Sequence, residues 1–219
     1  FFVSPDVLSI GRDNDYLRIP MKPRTAQEIA DHFGLLLPTK KMVNAMITAG
    51  NFTHETLTGH DAYGGSRDHN YLYIRSNEQI QQQRNSHNVP NKGYIGGKKD
   101  IFISANLALP VATTPNESCP AINPDTRQNQ TRKTLRIWIF GGLAGSGSIV
   151  QSSTNVHSIT YVDYSHGVHL VATEMLVDGT PRPVRDVLAS PELSPLISDY
   201  VITSPTYPLT APTQICIPS

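Results

Sequence analysis

At 219 residues, with 18 Lys plus Arg balanced by 18 Asp plus Glu and eight His besides, the chain is long enough to bury a substantial core and carries no net charge. Its charged fraction of 16% is below the roughly 25% usual for soluble domains, and with no basic excess to meet a phosphate backbone no nucleic acid is expected as a partner. No apolar run reaches the roughly 18 residues of a membrane helix, so no membrane span is expected.

In chain order, Tyr16-Leu17-Arg18-Ile19-Pro20 alternates enough for a short strand after a Gly/Asp/Asn turn cluster. Ala26, Ile29, Ala30 and Phe33 then recur at helical spacing, and Gly34 supplies the stop. Pro38-Thr39 opens a second helix with Met42, Val43, Met46 and Ile47 on one face and Gly50 at its end. The polar, glycine-bearing stretch from Asn51 to Arg67 reads as a long loop. Tyr71 to Gln83, Gln-rich and weakly apolar, reads as a third helix lying on the surface. Asp100 to Ser104 is expected as a strand, Leu135 to Phe140 as a central strand, and Gly141 to Ser148 as a mobile loop. Two further strands are expected at Val156 to Tyr164 and Val168 to Met175, followed by a hairpin turn at Asp178-Gly179 and a short helix at Pro183 to Leu188. With no internal repeat and no clear linker, the fold class is α+β: one domain over residues 1–219, helices in the N-terminal half and a mostly antiparallel sheet in the C-terminal half. Residues 110–133 form an exposed loop, and the Pro- and Thr-rich tail, 204–219, runs extended over the surface.

Compartment is read from sequons and cysteines. Asn51, Asn116 and Asn129 each begin an N-glycosylation triplet, against about two expected by chance, and the latter two fall in the exposed loop. The two cysteines, Cys119 in that loop and Cys216 in the tail, suit one disulfide, worth about 4 kcal/mol for a closed loop of roughly 100 residues. Phe1-Phe2-Val3 reads as the stub left by removal of a signal peptide. A secreted, extracellular glycoprotein is the expectation.

Reactive side chains are densest from His157 to His169, which holds three of the eight His. Along a straight strand His157 and Asp163 stand about 20 Å apart, too far to share a metal. Asp163 and His166, across the turn at Ser165-His166-Gly167, can set a carboxylate beside an imidazole, the arrangement that orients a general base, with His157 or His169 assisting. Tyr161, Tyr164 and Ser165 would contact substrate. The alternative is that Asp163 and His166 simply cap a tight turn. Lys40 and Lys41 oppose the macrodipole of the second helix and read either as solvated lysines or, for Lys41, as the holder of an anionic substrate group; Lys98-Lys99 reads the same way. No Gly-x-Ser-x-Gly, His-Glu-x-x-His or cysteine-based metal pattern occurs, so no cofactor and no metal are expected.

Leu37-Pro38-Thr39-Lys40-Lys41-Met42-Val43 and Tyr161-Val162-Asp163-Tyr164-Ser165-His166-Gly167-Val168 resemble motifs of a family of uncharacterised secreted proteins from bacteria and fungi, a likeness that spans Ile19 to about Gly179. In the bacterial pattern a basic residue stands at the position of His169 and a Trp-His pair at Gly142-Leu143. The resemblance implies secretion and brings no assigned activity. Leu36-Leu37-Pro38-Thr39 is also similar to the helix opening of formylglycine-generating-enzyme-like domains of the C-type lectin class, an alternative at the level of fold. Two functions are expected from these features: an extracellular hydrolase acting on a cell-wall or other polymer through Asp163 and His166, or a non-catalytic secreted glycoprotein that binds a glycan or assembles with itself.

Overall fold

Leu-Pro-Thr is a helix start with a visible mechanism. Thr39 is the N-cap of the second helix, its hydroxyl oxygen accepting the Met42 N–H at 3.2 Å, while the same hydroxyl donates to the Ile197 carbonyl and the Pro38 carbonyl accepts the Ile103 N–H. One short motif therefore ties a helix to a strand and to the C-terminal region. The computed structural model describes residues 1–12, 15–58, 70–86, 92–105, 130–209 and 214–218, with the side chains of 70, 130–134 and 214–218 excepted.

In chain order, β1 (Ser9–Arg12) and β2 (Asp15–Arg18) pair as an antiparallel hairpin and precede α1 (Pro23–His32). Next come β3 (Leu35–Leu36), α2 (Lys40–Thr48), β4 (Phe52–His54), α3 (Asn70–Ser86), β5 (Gly93–Ile95) and β6 (Lys99–Ile101). The second half holds β7 (Gln130–Thr134), β8 (Ile139–Leu143), β9 (Ile149–Thr154), β10 (His166–Gly167), β11 (Val171–Ala172), β12 (Glu174–Val177), β13 (Thr180–Pro183), α4 (Val184–Ala189), a 3₁₀ turn at Ser194–Leu196, and β14 (Gln214–Pro218). The main sheet has the order β10-β6-β8-β9, with β10 parallel to β6 and the rest antiparallel; β4 and β5 form a second parallel pair. The fold is a mixture of helices and sheets. Among the described residues no helix is long and apolar enough to cross a membrane.

Three expectations need correction. Helices are not confined to the N-terminal half, because α4 and the 3₁₀ turn follow β13, and the main sheet draws β6 from the first half and its other strands from the second. Val156 to Tyr164 is not a strand beyond one bridge at Ser158, since local partners capture much of its backbone: the Ser158 hydroxyl accepts the Thr160 N–H, the Ser158 carbonyl accepts the Tyr161 N–H in a turn, and the Asp163 carboxylate accepts the Ser165 N–H. Val168 to Met175 contributes only the short β11 and the start of β12. Its earlier residues bond instead to the N-terminal segment, with Val168 O accepting Leu8 N–H, Leu170 O accepting Ser4 N–H, and Ser4 Oγ accepting Leu170 N–H.

Other readings are observed directly. Helices α1 and α2 bury Ala26, Ala30, Met42, Val43 and Met46 of their expected stripes, whereas Phe33 falls just past the end of α1 and is exposed; Asp178 (φ 49°) with Gly179 (φ 78°) makes the two-residue turn of the β12–β13 hairpin, both residues in the left-handed region that a type I′ turn requires. The central strand begins later than expected and runs to Leu143, so the glycine-rich segment starts inside the sheet. Residues drawn from Met21 to Tyr207 form the larger apolar cluster. Tyr207 pins the tail to it: its hydroxyl donates to the Phe102 carbonyl and accepts the Trp138 N–H, and its own N–H reaches Gln27 Oε1. In the tail, β14 pairs with β7, whereas Cys119, the Cys216 side chain, Asn116 and Asn129 lie outside the described residues.

Candidate functional site

The turn that leads into β10 is built by Asp163. Its Oδ1 accepts the Ser165 N–H at 2.8 Å and the Ser165 hydroxyl, its Oδ2 accepts the Tyr161 hydroxyl at 3.0 Å, and its carbonyl accepts the His166 N–H at 3.2 Å. Parallel pairing with β6 then sets His166 opposite Lys99. His166 is 0% exposed; Nε2 stands 3.8 Å from Asp163 Oδ1, and neither ring nitrogen has a hydrogen-bond partner among the described residues. Burial lowers the imidazole pKa to about 4, with Asp163 opposing the shift and Lys99, His157 and Lys98 reinforcing it. Burial alone would raise the Asp163 carboxyl, but His166, the Ser165 bonds and Lys99 more than offset it and hold it low. Because the imidazole is neutral above about pH 4, the Ser165 bonds and Lys99 dominate near neutrality. His157, half-buried, stacks on Tyr161 at 4.0 Å, and Tyr161 meets the His166 ring edge-on at 5.6 Å, so these rings lead from the surface inward.

The remaining expected residues are elsewhere or otherwise engaged. Ser165 and Tyr164 are buried, and the Ser165 hydroxyl is committed to Asp163. His169 faces away into a separate buried pair: Nδ1 donates to Asp100 Oδ1 at 2.8 Å and Nε2 to the Tyr94 carbonyl at 3.1 Å. Burial works against the His169 imidazolium, but Asp100 outweighs it and raises the pKa. The Lys41 ammonium donates to the Pro195 carbonyl and borders a hollow of about 120 Å³ with Lys40, Trp138 and Asp199, which none of the expected catalytic residues lines. Asn51 is exposed, as a glycan acceptor needs.

Sequence reasoning missed a buried polar seam. Lys98 and Lys99, expected to be solvated, are both buried. So are Arg18 and Glu55, and α3, a surface helix as expected with Tyr71 and Ile74 exposed, turns Ser76, Asn77 and Arg84 inward. Arg84 binds Glu55 through Nε and Asp6 at 2.8 Å through Nη1, which also reaches the Tyr16 hydroxyl, and its guanidinium lies 3.7 Å over the Tyr94 ring. Arg18 stands 3.5 Å from Asp6 and 3.7 Å from Glu55. Burial is the largest influence on both partners: it raises the Glu55 carboxyl in spite of the arginines, and it opposes the Arg84 charge, which the two carboxylates nevertheless drive further up. Glu55, Arg84, His54, Tyr94 and the Gly145-Ser146-Gly147 tip line an open cleft of about 450 Å³. One signal for this seam was present in the sequence: Lys98-Lys99-Asp100 runs without a break into the apolar Ile101-Phe102-Ile103, so its charges enter the core with the strand.

Compared with known proteins, the chain matches no family model, no curated protein and no solved structure.

Proposed function

We propose that this chain is an extracellular hydrolase acting on a cell-wall or other polymer, with His166 as general base and Asp163 as the carboxylate that orients it. The observation that carries this reading is the state of His166. A fully buried imidazole whose two nitrogens have no partner among the described residues costs folding free energy, on the order of 1–3 kcal/mol per unsatisfied group, and such groups concentrate where a side chain must accept a proton. The pair is held by a carboxylate that is itself fixed by three bonds, and the ring is neutral at pH 7, as a general base must be. Secretion is part of the proposal; it rests on the motif likeness, the exposed Asn51 and the two cysteines.

The test is turnover on a panel of glycan, peptide and ester polymers. His166→Asn is expected to abolish activity while the protein still melts cooperatively, and retained turnover would overturn the assignment. Intact mass before and after deglycosylation, with thiol titration of the denatured unreduced chain, checks the compartment: a mass loss and no free thiol are expected.

A specific observation favours a second reading. His166 and Asp163 are sealed, whereas the open cleft belongs to Glu55 and Arg84, which suits a non-catalytic glycoprotein that holds a glycan there. On that reading His166→Asn lowers only the melting temperature, and Glu55→Gln weakens glycan binding.

A further inference from the structure

We infer that Lys98 is a positioning residue for His166, holding the turn from Asp163 to His166 and setting the field at the imidazole. This rests on the reading of His166 as a base but is tested apart from it. Lys98 is buried, 3% exposed, and its ammonium donates to Ser76 Oγ on α3 at 3.1 Å and to the Tyr164 carbonyl, two residues before His166. The backbone doubles the attachment, because the Lys99 N–H donates to the Ser165 carbonyl at 2.7 Å. Two glycines make room for this arrangement. A Cβ on Gly167, the residue after His166, would lie 2.8 Å from Lys98 Cβ, so the lysine stem crosses β10 where no side chain stands. A Cβ on Gly97 would lie 2.6 Å from Glu55 Oε2, so the carboxylate that borders the cleft closes directly on the residue preceding Lys98. Lys98 feels the charge of Asp6, Arg18 and Glu55 as well as that of Asp163. Burial first, and Arg18 second, lower its own pKa to about 7, so it carries a full charge over the range in which His166 titrates.

A surface lysine would have no such reach. An amine at this place does two things for a buried base: it fixes the ring's backbone, and its positive charge opposes protonation of the ring.

The experiment is an NMR titration of the His166 imidazole in the full chain, which needs no substrate. Lys98→Met is expected to move the His166 midpoint upward, since a cation is removed, while Lys98→Arg keeps the cation and stays near the wild-type value. An unchanged or lowered midpoint in a folded Lys98→Met protein overturns the inference. Should that variant fail to fold, the wild type still decides: the His166 ring resonances are expected to show a second inflection near pH 7 as Lys98 loses its proton, and a flat profile there overturns the inference. If His166→Asn retains turnover while these couplings are present, the hydrolase reading fails and the role of Lys98 stands.

Discussion

Asp100 and His169 form a buried ion pair whose removal has a definite size and pH dependence. Both His169 nitrogens face acceptors, the Asp100 carboxylate and the Tyr94 carbonyl, so the ring carries both protons to satisfy them, and Asp100 pushes its pKa in the same direction. His169→Leu leaves the Asp100 carboxylate in the core, where it still accepts the residue-169 N–H but where Oδ2 already has no partner among the described residues. Deleting one member of a buried pair costs about 3–5 kcal/mol, a large share of the roughly 5–15 kcal/mol that holds a domain together. The stabilisation from a raised histidine pKa is fully present below the unfolded value of 6.5 and is lost as pH rises through the higher folded value. Urea unfolding of wild type and His169→Leu should therefore show a gap of about 3–5 kcal/mol near pH 6 that narrows as the pH rises above 6.5. The difference between the proteins matters more than the wild-type curve alone. Lys98, whose pKa falls from 10.5 to about 7 on folding, contributes with the opposite sign over that interval and cancels in the comparison. A gap that stays constant or widens with pH would refute the assignment of His169 as an imidazolium.

His166 acts on the acid side. Its pKa is lowered from 6.5 to about 4, so between those values the unfolded chain takes up a proton that the folded chain refuses, and wild type should lose about 3 kcal/mol that His166→Asn does not lose, measured by urea unfolding across that range. Gly97→Ala should cost about 1–3 kcal/mol, because the new methyl must displace the Glu55 carboxylate from 2.6 Å; an unchanged urea midpoint would show that the contact is not tight.

How far the sequence could be read follows from what each signal measures. Apolar spacing located α1 and α2, and Asp-Gly located the β12–β13 turn, because each depends on nearest neighbours along the chain. The Asp163–His166 juxtaposition was legible for the same reason: the two stand three positions apart, and the turn between them is closed by the Asp163 side chain. Alternation failed from Val156 to Tyr164, where Ser158 and Asp163 offer the backbone local partners that outcompete a ladder. The grouping of His157 and His169 with His166 half succeeded. His157 reaches His166 through the Tyr161 ring, while His169 is engaged separately by Asp100 and the Tyr94 carbonyl.

By itself the sequence determined the mixed class, the helix starts and stops, and a turn that sets a carboxylate beside a histidine, all of which are fixed within a few residues of chain. Only the tertiary structure decided that Lys98, Lys99, Arg18 and Glu55 are interior and that Arg84 spans Asp6 and Glu55. Charges read from sequence default to solvent, since burying one is costly unless a partner is supplied. Here the partners come from positions such as Asp6, Glu55 and Asn77, brought together by the packing of β2, β4 and α3, which no local spacing encodes.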